Sequence, residues 1–281
     1  MSLAAKTLWV IERNLGTLPG LDDIATACGV SKFHLAHAFG TATGISVMQY
    51  LRARRLSEAV QALAAGSMDI LELALDCGYA SHEAFTRAFR SQFGVTPESV
   101  RRNKTIEGLA MTKAIKLPDS NRINLKTPRF VSGAAMHVVG LSQFHPFGDA
   151  QGIAAQWRTF MASYSRIPAK KPGIPISVII NMDDDGNFKY VCAAEVASVA
   201  KIPDGLISLD VPAQNYAVFT HDEHVSTIGA TYSAVWNEWF KSNDYVPADG
   251  PSLERHLESF DPATGLGGVE IWIPVKQSTW R

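Results

Sequence analysis

"GYASHEAFTRAFRSQFGVTP", Gly78 to Pro97, decides how the first part of this chain is read. Phe85, Phe89 and Phe93 recur every fourth residue, so a helix stacks them on one buried stripe while Thr86, Arg87 and Arg90 face elsewhere. Ser81 stands where a helix N-cap belongs, directly before His82 and Glu83, and Gly78 supplies a residue free to take positive φ.

Working outward, the stretch is one half of a repeat. "IATACGV" (Ile24 to Val30) recurs as "LALDCGY" (Leu73 to Tyr79) at an offset of 49, and "LAHAFGTATGIS" (Leu35 to Ser46) recurs as "FTRAFRSQFGVT" (Phe85 to Thr96) at an offset of 50. Each copy reads as a helix ending at Cys-Gly, a tight turn, and a second helix capped by Ser31 or Ser81, which is a helix-turn-helix. "VMQYLRARRLSEAVQALAAG" between them has no proline and closes on Gly66, so one long helix is expected there. A rigid connector holds two recognition helices at a fixed separation, which suits major-groove segments about 34 Å apart. Cys28 and Cys77, each just before a turn glycine, read as small packing residues.

These residues resemble the AraC/XylS DNA-binding domain, most specifically in F-R-x-x-F-G-V-T-P, over about the first 105 residues. The resemblance implies that each second helix enters the major groove. Its reading positions fall on Phe33, Ala36 and His37 in the first unit and on His82, Glu83, Thr86 and Arg87 in the second, with Ser81 at the helix start. Arg87 suits guanine, His82 a purine edge and Glu83 the cytosine amine. The first unit is the poorer reader, because Ala36 replaces a usual polar residue and His37 a common arginine. Lys32, Arg52, Arg54, Arg55, Arg101 and Arg102 are candidate phosphate contacts.

The rest of the chain repeats as well. From about 106 to 123 it turns polar and loses periodicity, so a linker is placed there. Beyond it, "IAAQWRTFMASY" (Ile153 to Tyr164) aligns with "YSAVWNEWFKSN" (Tyr232 to Asn243) at an offset of 79, Trp157 over Trp236 and Phe160 over Trp239. Both read as amphipathic helices. One strand-like run precedes each and two follow, so each half is strand-helix-strand-strand, with "DDDGNF" and "DPATGLGG" as hairpin turns. The expected architecture is two domains: an all-α double helix-turn-helix domain over 1–105, then an α+β domain over 124–281 built of two such repeats on an antiparallel sheet.

"VPAQNYAVFTH", "LERHLESFDPATG" and "EIWIPV" resemble the GyrI-like effector-binding domain, which also occurs behind AraC-type DNA-binding domains. The resemblance implies a groove for bulky cationic or aromatic ligands with an acidic residue on a late strand, here Glu254. Period two along "LERHLESF" places Glu254, His256, Glu258 and Phe260 on one face. Trp236, Trp239, Tyr190, Phe147 and Trp272 are candidate aromatic walls, Glu195 a second acidic candidate, and His256 stands where the family often has tyrosine. An apo carboxylate there lacks a counter-charge that a cationic ligand would supply.

The remaining features exclude more than they assign. Net charge is −1, split as +2 over residues 1–105 and −3 beyond, too mild to establish nucleic-acid binding alone. Three cysteines without C-x-x-C fit a reducing compartment. Lys6, Glu12 and Arg13 interrupt any signal-peptide core, and the uncharged run Phe130 to Gly148 is broken by glycines, histidines and a proline, so a cytoplasmic protein with no membrane partner is expected. "HDEH" (His221 to His224) reads as exposed loop histidines, and Asp183 and Asp185 before Gly186 as turn residues in a register that starts at Asn181 and lacks the closing glutamate of a calcium loop. No metal, cofactor or catalytic residue is expected. The leading reading is a one-component transcription regulator whose partners are operator DNA, a small-molecule effector and RNA polymerase, as monomer or dimer. The rival is a hydrolase of reactive small molecules using Glu254 or Glu195.

Overall fold

The computed structural model describes residues 1–17, 20–66, 69–117, 125–182, 187–199 and 202–278. Two compact units result, one over residues 1–39 and 45–119, the other over 120–281 together with 40–44.

In the first unit, α1 (Leu3–Arg13) leads into two helix-turn-helix pairs, α2 (Leu21–Cys28) with α3 (Lys32–Thr43) and α5 (Ile70–Asp76) with α6 (His82–Phe93). The expected connector is α4 (Val47–Ala65), and α7 (Pro97–Asn103) follows. Local sequence sets these boundaries. Ser31 and Ser81 accept from the amides of His34 and Ala84 at 3.2 Å, Ser46 and Gln49 form a reciprocal box at the start of α4, and Gly66 closes it in the left-handed region. The turn glycines Gly29 and Gly78 have φ of 72° and 83°, which a side chain at either would strain.

Helix α4 is a wall shared by two cores. Val47, Tyr50 and Leu51 pack with Leu8, Ile11, Ile24, Cys28, Leu35 and Phe39. One and a half turns on, Leu56, Val60 and Leu63 pack with Leu73, Cys77, Phe85, Phe89 and Phe93, whose rings sit 5.6 and 4.8 Å apart in succession. The phenylalanine stripe is therefore core, as its spacing predicts, and Cys28 and Cys77 are buried packing residues.

The arginine cluster on α4 divides in a way its sequence does not announce. Arg52 is exposed, but Arg54 and Arg55 are buried. Arg54 grips Glu12 of α1 through two hydrogen bonds of 2.9 Å, and also bonds Glu58 and the Thr112 carbonyl. Arg55 donates to the Leu15 carbonyl. Neither is placed to meet a phosphate, which corrects that expectation for Arg54 and Arg55. Segment 106–117, expected as linker, is packed on this unit: Thr112 bonds Ser57, Ile115 bonds Tyr50, and Leu109, Met111, Ile115 and Leu117 cover the two cores. Residues 118–123 lie outside the described residues.

The second unit is a pseudo-symmetric antiparallel sheet with helices on one face. Its strands are β1 (Arg129–Gly133), β2 (Met136–His145), β3 (Ile176–Met182), β4 (Phe188–Val196), β5 (Ile207–Val211), β6 (Gln214–His221), β7 (Tyr245–Pro247), β8 (Ser252–His256) and β9 (Val269–Gln277). Their order, β1-β6-β9-β8-β3-β4-β2-β5 with β7 beside β9, reads the same from both ends when one repeat is exchanged for the other. Each expected leading strand proves to be two. "RFVSGAAMHVVG" breaks after Gly133 and "LISLDVPAQNYAVFTH" breaks after Val211, and the extra strand crosses to pair with the other half, β1 with β6 and β5 with β2.

The helices also shift. The first, α8 (Ala150–Tyr164), covers the expected span, but the second comprises a 3-10 turn (Val225–Thr227), α9 (Ile228–Ala234) and a π-wound turn (Val235–Trp239). "LERHLESF" is strand only as far as His256, so Glu258 is an exposed turn residue. "DPATGLGG" is the expected β8–β9 turn; the "DDDGNF" turn, with Asp183, Asp185 and Gly186, lies outside the described residues. His221 is buried rather than exposed, its ring bonded to Thr231 and to the His224 carbonyl.

The ion pair between α1 and α4 yields a stability prediction. Burial opposes the Glu12 charge, but hydrogen bonds from Arg54 and Tyr50 outweigh it and hold the carboxyl below its usual value. A depressed carboxyl contributes stability above its unfolded pKa that is lost as pH falls through the folded one. Arg54→Ala should cost about 3 kcal/mol in denaturant unfolding at neutral pH, and Glu12→Gln/Arg54→Met should restore most of it. A neutral Arg54→Ala would contradict the assignment.

Candidate functional site

On α6 the three phenylalanines turn inward and His82, Glu83, Arg87 and Arg90 are exposed on the outside. Thr86 lies between, with its hydroxyl covered and no hydrogen-bond partner. Glu83 is partly engaged: bonds from its own amide and from Ser81 hold its carboxyl below the usual range, so it caps the helix as well as flanking the basic face. On α3, Leu35, Ala38 and Phe39 are core. Phe33 and His37 meet edge to face at 4.4 Å, and His37 is buried, which pulls its imidazole down to about 3. A covered neutral ring is not on offer to a base edge, which counts against the expected reading role of His37. Lys32 is exposed beside Asp22, and Arg101 beside Glu98, in surface pairs that a phosphate easily displaces.

The second unit centres on Glu254. Strand pairing aligns Phe219, Ile271, Glu254, Ser177 and Cys192 across five strands on one face. Glu254 is 8% exposed and accepts hydrogen bonds from Tyr190 at 2.6 Å and Tyr232 at 2.9 Å. Tyr190 is held in turn by the Ser177 hydroxyl at 2.5 Å and the Trp157 indole at 3.2 Å. Gln156 fixes the backbone here by donating to the Tyr190 and Leu141 carbonyls, while its own oxygen meets buried His145, which pairs with Asp149.

The carboxylate is therefore hydrogen-bonded at both oxygens. It remains without a cation: no lysine or arginine among the described residues pairs with it. Burial pushes the Glu254 carboxyl up, the tyrosine and serine hydroxyls pulling partly back. Burial and the adjacent carboxylate likewise raise the Tyr190 and Tyr232 phenols, so both stay protonated as donors.

The other expected residues separate by face. Trp239 lies on the Glu254 side over Phe219 at 5.1 Å, and Trp236 is buried one turn along from Tyr232. His256 stacks on Phe260 at 4.1 Å and meets Trp157 at 5.4 Å; burial lowers its pKa, which favours the neutral ring. Phe147 packs on Phe188 at 5.5 Å. Trp272 pairs with Leu253, not Glu254, and so faces the opposite side of the sheet, where Arg129 and Arg255 lie over its ring at 5.1 and 4.8 Å. Glu195 also faces that side, bonded to Lys171 at 2.6 Å. Trp272 and Glu195 are thus removed from the Glu254 site. Tyr232, Ser177 and Trp157 join it; the Tyr232 and Trp157 helices carried the signal in their shared repeat, while nothing local marked Ser177.

A double helix-turn-helix unit followed by a duplicated sheet with a buried carboxylate is the build of a regulator that carries its own sensor. Residues 24–103 match the helix-turn-helix domain family, and residues 126–276, more than half of the chain, match the GyrI-like small molecule binding domain. The chain belongs to the GyrI-like family, carried here behind an AraC-type helix-turn-helix domain. It is similar to the transcriptional regulator Rob of Salmonella typhimurium, 25% identical with 96% of each chain covered, and to the right origin-binding protein of Escherichia coli, 24% identical with 96% of each covered. The Tn10 TetD protein of Escherichia coli is 42% identical over 104 residues, 37% of this chain and 75% of its own. No helix among the described residues is long and apolar enough to cross a membrane.

Glu254 should be visible in the pH dependence of stability. A carboxyl whose folded pKa is raised costs stability above that folded value; the cost fades as pH falls and is gone below the ordinary 4.5. Glu254→Gln should therefore raise Tm at neutral pH and flatten the Tm–pH curve on its acid side. An unchanged curve with a lower Tm would show that the carboxylate is not strained.

Proposed function

We propose that this chain is a one-component transcription regulator that reads operator DNA mainly through α6 and senses a bulky organic cation at Glu254. Its DNA-binding domain acts over residues 1–105 with 106–117 packed on it, and its effector domain over 124–281, in the cytoplasm, with RNA polymerase as the machinery it acts on. The carrying observation is a buried carboxylate that tyrosine hydroxyls orient and that pairs with no lysine or arginine among the described residues. A cation flanked by aromatic faces gains most where water is excluded, and Tyr190, Tyr232, Trp157 and neutral His256 supply that setting. The name of one relative matched along 96% of its length, the transcriptional regulator Rob, supports the same reading. The hydrolase reading has less behind it, because both Glu254 oxygens already accept tyrosine protons and Glu195 is tied to Lys171.

On DNA, Arg87 and His82 address base edges, Thr86 and Glu83 flank them, and Phe33 and Ala36 make the weaker contacts of α3. Lys32, Arg52, Arg101 and Arg102 address phosphates. Arg87→Ala should weaken binding to a selected operator by about 1–3 kcal/mol and relax preference at one position. Equal losses on operator and random DNA would make Arg87 a phosphate contact. Removing one of the four phosphate-directed side chains should shallow the log K against log[salt] slope by about 0.9; a slope that does not change would remove that residue from the interface.

For the sensor, calorimetric titration of wild type and Glu254→Gln with tetraphenylphosphonium and with a neutral aromatic of similar size separates charge from shape. The variant should lose about 2–5 kcal/mol toward the cation and little toward the neutral compound. Equal affinities of both proteins for the cation would place Glu254 outside the site.

A further inference from the structure

His145, the last residue of β2, is 3% exposed, and both nitrogens of its ring face acceptors. Nδ1 lies 2.8 Å from Oδ2 of Asp149, and Nε2 lies 2.6 Å from Oε1 of Gln156. The Gln156 amide cannot be turned round, because its nitrogen already donates to the Leu141 and Tyr190 carbonyls at 2.8 and 2.9 Å. Asp149 is ionised: its side chain is 32% exposed, and bonds from His145 and from the Gly152 amide hold its carboxyl below the usual value. A neutral imidazole has one N–H, so either tautomer would aim a lone pair at an acceptor within 2.8 Å. The ring therefore carries both protons, and Asp149 balances its charge.

The duplication supplies an internal control. The second repeat ends its corresponding strand, β6, on His221. That ring meets the Thr231 hydroxyl at 2.9 Å and the His224 carbonyl at 3.1 Å. A hydroxyl donates as well as accepts, so a neutral ring satisfies both contacts. A buried histidine at the strand end is thus common to both halves, while the second proton belongs to the half that carries Tyr190.

That half shows what the proton holds. Gln156 is 1% exposed, and a buried amide oxygen left without a donor is costly. Its nitrogen fixes the Tyr190 backbone, the His145 ring meets the Tyr190 ring edge-on at 6.2 Å, and the Tyr190 hydroxyl donates to Glu254 at 2.6 Å. We propose that His145 is a buried imidazolium that acts as a positioning residue, using a proton maintained by Asp149 to hold Gln156, and through it Tyr190, in place for the Glu254 site. This deepens the reading of Glu254 as the anchor of the sensor and rests on it.

The test uses full-length protein with nitrogen-15 histidine, and tetraphenylphosphonium as the probe. At neutral pH the His145 signals, identified as those that Asp149→Asn alters, should show two protonated nitrogens in wild type and one in the variant. Asparagine keeps the helix cap, and its amide nitrogen can donate to Nδ1, so Gln156 stays held and cation affinity should remain within about twofold of wild type. His145→Phe removes the donor to Gln156 and should weaken cation binding roughly tenfold. In a Tyr190→Phe background, with no hydroxyl left to aim, that loss should vanish. A single protonated nitrogen in wild type overturns the imidazolium. An equal loss from His145→Phe in both backgrounds, or no loss in either, overturns the positioning role. Two protonated nitrogens in a wild type that does not bind the cation overturn the sensor reading, and the positioning role with it, while the imidazolium stands.

Discussion

Taking the Glu254 carboxylate out of water costs several kcal/mol in the absence of a counter-charge, and the second domain is arranged around that cost. Tyr190 and Tyr232 reach the two oxygens from opposite repeats, one from a strand and one from the irregular helix above it. Ser177 and Trp157 orient Tyr190, and Gln156 pins its backbone. Hydroxyl dipoles offset part of the desolvation and leave the rest, which is why the carboxyl stays raised. In the proposed function, a cation entering this site would relieve that remaining cost.

The duplication makes that arrangement possible. Strands β3 and β8 meet at the centre of a sheet that reads alike from both ends, so residues at the junction are reachable from both helices. Swapping β1 and β5 across the halves ties each repeat to the other. In the first domain α4 plays the comparable part, dividing its inward side chains between two cores and fixing both recognition helices to one rod of about 28 Å.

What the sequence made legible follows from local physics. Cys-Gly turns, serine caps and the phenylalanine stripe are encoded within a few residues of where they act, so both helix-turn-helix pairs and α4 stand where periodicity puts them. The errors are long-range. Arg52, Arg54 and Arg55 look alike as a basic cluster, but the partner of Arg54 is Glu12 and that of Arg55 is the Leu15 carbonyl, both more than ten turns of helix away in sequence. Period two along β8 set Glu254 and His256 on one face, yet the register between β8 and β9 decides which neighbour shares that face, and that register sends Trp272 to the other side. Tyr232 was hidden for the same reason: its role exists only once α9 lies over β8.

The central claim is that Glu254 is a strained carboxyl relieved by a cation, and proton linkage tests it most directly. Titrating tetraphenylphosphonium into the protein at mildly acidic pH, in buffers of different ionisation enthalpy, measures protons exchanged on binding. The account predicts proton release by wild type, diminishing as pH rises, and none by Glu254→Gln. Binding of the cation with no proton release at any pH, or with the same release in the variant, would contradict it.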